Sequence, residues 1–154
     1  MKRKILLVVI ILFIAILGTI LLALTNHPAE KQSQVCFRNY CFYVELSKTP
    51  EELSSGLMFR ERLDDNRGML FIFETEGDYP FWMKNTLIPL DIIWLNKNKE
   101  VVFISENAQP CKEDPCPSIE PHKDAKYVLE INGGLSQKLG FKIGDKINFN
   151  IDIR

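Results

Sequence analysis

Ile5–Leu24 runs for 20 residues without a charge and consists almost wholly of Ile, Leu, Val and Ala. A helix of that length rises about 1.5 Å per residue and covers roughly 30 Å, the hydrocarbon thickness of a bilayer. Lys2, Arg3 and Lys4 precede the run, and basic residues there hold the N-terminus in the cytoplasm and send the following chain outward. The expectation is therefore a transmembrane anchor over residues 1–25, with a cleaved signal peptide as the alternative. The apolar run is longer than an ordinary signal-peptide core, and Ala23-Leu24-Thr25 makes a weak cleavage site. Residues 26–34 are polar and read as a tether, which leaves residues 35–154 for one folded domain. The membrane, reached through the N-terminal helix, is thus an expected partner.

All 20 acidic residues fall after Pro28, and with the three leading basic residues set aside the remainder carries a net charge of −4. An acidic domain repels nucleic acid and anionic lipid, so nucleic acid is not an expected partner. There is no phosphate-cradling loop, no nucleotide fingerprint and no His-x-x-x-His pair. No cofactor and no metal are expected.

Cys36 and Cys41 are separated by four residues, as are Cys111 and Cys116. In an oxidising compartment the local pairing is the simplest, with Cys36–Cys41 across a tight hairpin and Cys111–Cys116 stapling a polar loop. A four-Cys zinc site is the rival reading, with both spacings at its long end. Met58, Met69 and Met83 raise the idea of Cu(I) binding, but each sits in an apolar run where packing explains a methionine.

Thr49-Pro50-Glu51-Glu52 has the form of a helix start, with a capping threonine, a proline in the first turn and a glutamate in the capping-box position. Gly68–Phe73 is an almost continuous apolar run, as a strand buried on both faces would show. Leu90–Leu95 and Val101–Ile104 flank Asn96-Lys97-Asn98-Lys99 and predict a β-hairpin. Asn107–Asp124 predicts a long loop, Tyr127–Ile131 a strand, Leu135–Leu139 a short helix closed by Gly140, and Ile147–Ile153 a last strand. About seven strands, two short helices and connections too short for parallel crossovers predict an α+β domain. It would be mostly antiparallel and form a small, partly closed barrel.

Gly56-Leu57-Met58-Phe59-Arg60-Glu61, Gly68–Phe73, Phe81-Trp82-Met83-Lys84-Asn85-Thr86-Leu87-Ile88-Pro89-Leu90-Asp91, Tyr127–Asn132 and Gly140–Asp145 occur in that order. Together they resemble the family called domain of unknown function 192, across roughly residues 42–149. The resemblance implies a strand-rich α+β fold and frequent export. It implies no catalytic residue and no substrate.

The Trp82–Asp91 string is the densest polar–aromatic cluster. One reading makes it a ligand groove, with Trp82 as an apolar wall and Lys84, Asn85, Thr86 and Asp91 as oriented polar groups. Arg60, with Arg62, would supply a fork for a small anionic or cell-envelope ligand. The competing reading is a structural corner in which Asn85, Thr86 and Asp91 satisfy turn backbone and Trp82 fills core. An enzyme would need a carboxylate pair, such as Asp91 with Glu106 or Glu130, close enough for glycoside hydrolysis. His122, the one histidine after the tether, reads as part of a solvated loop. Three functions follow as expectations: an exported binding module, an envelope hydrolase, and an assembly partner of another envelope protein.

Overall fold

The computed structural model describes residues 12–19, 32–112 and 114–151, and the chain divides into two compact units, residues 1–31 and 32–154. In the first unit residues 12–19 are helical, with Leu12, Phe13, Ile14, Ile16 and Leu17 exposed. Eight residues of helix rise about 12 Å, and no helix among the described residues is long and apolar enough to cross a membrane. The expected transmembrane helix is corrected accordingly. The rest of its expected range, and the tether up to residue 31, lie outside the described residues.

The second unit is mostly β. Its strands are β1 (Gln34–Phe37), β2 (Tyr40–Ser47), β3 (Arg67–Gly77), β4 (Phe81–Trp82), β5 (Leu90–Leu95), β6 (Val101–Ala108), β7 (Ser118–Ile119), β8 (Ala125–Asn132) and β9 (Asn148–Asn150). Two short helices accompany them, α1 (Pro50–Ser55) and α2 (Leu135–Leu139). Seven strands form one sheet in the order β6-β5-β8-β3-β2-β1-β9, and β4 pairs with β7 alone.

Two further expectations are corrected here. β2 and β3 run parallel, joined through α1. A single turn and a half of helix inside residues 48–66 suffices for that crossover, which the short predicted helix did not suggest. The barrel does not close either. The sheet's two ends meet at one isolated bridge, Glu100–Lys146, where a closed barrel needs a continuous ladder. A balanced α+β barrel is thus replaced by an open, mostly β sheet with few helices.

Local chemistry explains the elements that position the site. Thr49 Oγ1 accepts from the Glu52 amide, and Glu52 Oε2 accepts from the Thr49 amide at 3.0 Å, so the capping box is complete. The Thr49 amide, followed by that of Lys48, holds the Glu52 carboxyl below its usual range. Gly56 ends α1 at φ +47°, a conformation that side chains rarely adopt. All six residues of β5 are buried. Alternation sends Leu90, Ile92 and Trp94 into a core with Met69, Phe71, Val128 and Leu57. It sends Ile93 and Leu95 to the opposite face, into a core with Leu70, Leu129, Ile131 and Leu135. α1 therefore covers one face and α2 the other.

Both cysteine pairs are disulfides. Cys36 and Cys41 face each other across the β1–β2 ladder with Cα atoms 4.1 Å apart. Cys111 and Cys116 close the loop before β7 with Cα atoms 5.9 Å apart.

Candidate ligand-binding cleft

Glu130 lies near the middle of β8, between Met69 of β3 and Ile92 of β5 in register. Strand alternation aims its side chain into the face covered by α1. The residue is 5% exposed, and its Oε2 has no hydrogen-bond partner among the described residues. Burial disfavours the charged form and pushes its carboxyl up to about 8. At neutral pH Glu130 is thus mostly a neutral acid, with an oxygen that nothing among the described residues satisfies. Such a group costs about 1–3 kcal/mol, so a fold that keeps one calls for an explanation.

The acid lines a cleft of about 240 Å³. Phe71, Phe73, Tyr79, Phe81 and Trp82 supply aromatic surface, and Leu53, Ser55, Gly56 and Met58 border it from the α1 side. The rings brace one another. Phe81 packs edge-on against Phe71 and Trp94, at 4.9 and 5.4 Å, and Phe73 stacks on Tyr79 at 3.7 Å. Trp94 donates its indole N–H to the Tyr79 carbonyl at 2.8 Å, which fixes the Tyr79–Trp82 segment over the sheet. A Cβ on Gly56 would sit 3.0 Å from Phe71 Cζ and 3.7 Å from Glu130 Oε2. The missing side chain is what lets the chain at Gly56 pack this closely on Phe71 and Glu130.

The residues singled out from sequence separate. Trp82 and Thr86 line the cleft. Trp82 is 46% exposed, so it walls the cleft's mouth and does not fill core. Thr86 is buried, its amide bonded to the Met83 carbonyl. Lys84 lies outside the lining with Nζ 5.3 Å above the Trp82 ring. Asn85 adopts φ 56°, accepts the Phe59 amide through its carbonyl, and reaches Met58 Sδ with Nδ2. Arg60 makes a two-pronged ion pair with Glu45, at 2.7 and 2.5 Å, so its fork is already filled. That pair keeps the guanidinium more firmly protonated than usual.

Asp91 is fully buried on the other face of the sheet. Its register partner is Ile131, the neighbour of Glu130, and adjacent strand residues point oppositely. Oδ1 accepts from the amides of Asn107 and Gly134, at 2.6 and 2.9 Å, and Oδ2 from that of Ser136 at 2.6 Å. Asp91 therefore ties the end of β6 to the turn that begins α2. Asp91 and Glu130 are not assembled as a carboxylate pair, and Glu106 is exposed on β6.

Two residues carry weight that the Trp82–Asp91 string does not contain. Gly56 and Glu130 come from remote segments and meet only in the fold. The available signal for Glu130 was a charged residue inside the apolar run Tyr127–Ile131. A second, larger cavity of about 430 Å³ lies by the stapled loop, among Met83, Ala108, Pro110, Cys111, Pro117 and Ile119. Among the described residues its lining includes no acid. His122 is exposed and faces Asp78 at 3.7 Å. Among the described residues no cluster of three or more His, Cys, Asp or Glu is placed to hold a metal.

An open mixed sheet with one covered aromatic cleft and two short disulfides defines a small β-rich domain with a recessed acid. The chain belongs to the DUF192 family ("Uncharacterized ACR"), whose model matches residues 31–149. It is similar to a protein of unknown function from Novosphingobium aromaticivorans DSM 12444, at 38% identity and a TM-score of 0.69. That match covers 79% of this chain and 89% of the other. It is also similar to a protein from Sinorhizobium meliloti 1021 described as a candidate transcription regulator, at 31% identity and a TM-score of 0.69. Here the coverage is 77% of this chain and 92% of the other. No curated protein matches.

Proposed function

We propose that the domain is a small-molecule binding module that works outside the reducing cytoplasm. The observation that carries the reading is the buried, unpartnered Glu130 carboxyl in a cleft walled by aromatic rings. Small-molecule sites combine apolar walls with few polar groups, and an unsatisfied buried group is one that a ligand completes. The compartment is supported by the two disulfides, since short-range bridges persist in oxidising surroundings.

The binding reading is favoured over hydrolysis by the placement of the acids. Asp91 spends both oxygens on three backbone amides, and the acid beside it in sequence register faces the other way. An anionic ligand is disfavoured too, because Arg60 is matched by Glu45 and no Lys, Arg or His is among the cleft's described lining residues.

A fragment screen read by amide and indole NMR shifts on the full chain tests the proposal. Ligands that move Gly56, Phe81 and the Trp82 indole together support it. Hits confined to other surfaces, or hits unaffected by Trp82→Ala in a folded protein, contradict it.

A further inference from the structure

We infer that the cleft takes an organic cation, an ammonium group on a small apolar body, and that its charge replaces the proton of Glu130. This deepens the binding reading above and rests on it.

Three observations converge. The rings of Phe71, Phe81 and Trp82 present π faces or edges to one cavity, and an aromatic wall attracts a cation through its quadrupole, most strongly where water is excluded. The Trp82 ring already carries a cation on its outer side, Lys84 Nζ at 5.3 Å. Glu130 is the one acid among the described lining residues, its Oε2 buried without a hydrogen-bond partner among the described residues, and that lining contains no basic residue to answer it. Aromatic walls ending in an unanswered acid are complementary to an alkylammonium ion and repel a carboxylate or phosphate.

The charge balance is simple. The free protein holds Glu130 as –COOH. When the cation enters, the O–H bond breaks, the proton leaves to bulk water, and –COO⁻ faces the ammonium. The net charge of the cleft is zero before binding, with –COOH, and zero after it, with –COO⁻ beside the cation, so no bare charge is buried. The groups around Glu130 leave this exchange to Glu130 itself. Its register neighbours Met69 and Ile92, and Phe71 and Gly56 above it, do not titrate. Tyr79 is the other titratable lining residue. Farther along the same cross-strand row, Glu45 is the register partner of Met69 and is neutralised by Arg60.

Choline, its uncharged carbon counterpart 3,3-dimethyl-1-butanol, and the anion 3,3-dimethylbutanoate have nearly one shape and three charges. Each is titrated into the full chain by calorimetry in buffers of different ionisation enthalpy, with NMR reporting the cleft residues. Choline is expected to bind in the cleft and release close to one proton at pH 6.5 and almost none at pH 9.5. Its affinity should rise about tenfold per pH unit between pH 6 and 7.5 and then level off. Glu130→Gln should bind choline more weakly, with no pH dependence. Equal binding of choline and the alcohol in the cleft overturns the cation assignment while leaving the binding module standing. Choline binding without proton release at pH 6.5 also overturns it, and that result needs no variant. Cleft signals that stay fixed with all three probes, and with every fragment, overturn both.

Discussion

Two buried acids on neighbouring strands, one register step apart, meet opposite fates. Asp91 has three backbone amides aimed at its two oxygens, and Glu130 has an oxygen with none. Both are at most 5% exposed. A buried acid whose oxygens accept from backbone amides offsets its desolvation by anchoring loops. A buried carboxyl without donors is a standing liability, kept neutral by burial. The difference teaches that burial alone does not mark function. The accounting of donors separates the two acids: it places Asp91 in the scaffold, and on the proposed reading it leaves Glu130 for a ligand.

The sharpest way to break this contrast is to remove each acid. Asp91→Ala strands the amides of Asn107, Gly134 and Ser136 and should destabilise the domain by about 3–5 kcal/mol in urea unfolding. A loss under about 1 kcal/mol would mean the three bonds are not what holds the β6 end to α2. Glu130→Gln should behave oppositely, because the amide resembles the neutral acid. Glu130 binds its proton more tightly in the folded chain than in the unfolded one, at about 8 against 4.5. Its contribution is therefore fully present below pH 4.5 and is lost as pH rises through about 8. Between those limits the wild type should lose roughly 1.4 kcal/mol per pH unit relative to Glu130→Gln. Parallel stability curves for the two proteins from pH 5 to 9 would contradict the neutral acid.

Smaller changes sharpen the role of the cleft around Glu130. Gly56→Ala places a methyl against Phe71 in a backbone conformation unfavourable for it. About 1 kcal/mol of stability should be lost, and ligand-induced NMR shifts in the cleft should vanish while those of the Asp91 face stay put. Thr49→Ala removes the cap that sets α1 over the cleft, and should lower stability by about 0.5–1 kcal/mol without changing the titration of Glu130. A change in that titration would show that α1 seals the acid more tightly than its end at Gly56 implies.

Much of the scaffold is local and was legible for that reason. The capping box at Thr49–Glu52, the turn Asn96–Lys99 between Leu90–Leu95 and Val101–Ile104, and the αL end of α2 at Gly140 depend on residues close to one another in sequence. The Cys36–Cys41 bridge is likewise a neighbour contact across a two-residue turn. The parallel β2–β3 pair was not legible, because nothing in a six-residue helix distinguishes a crossover from a simple turn. Barrel closure failed for a similar reason, since it depends on how β6 and β9 meet, two strands remote in sequence. For the site, Trp82 and Thr86 stood in the right string, but Asp91 in the same string answers amides 16 to 45 residues away. Glu130 was read only as a partner for Asp91, although a charge inside the apolar run Tyr127–Ile131 was there to see. In β8 both faces are buried, so alternation carries no sign of which side an acid takes.

The protonation of Glu130 can be read directly from the side-chain carboxyl carbon of ¹³C-labelled glutamate, assigned by its absence in Glu130→Gln. An inflection near pH 8 is expected, well above that of the exposed glutamates. A resonance that titrates with them near 4.5 would mean that the acid is solvated or already paired, and the cleft would lose its reason to bind.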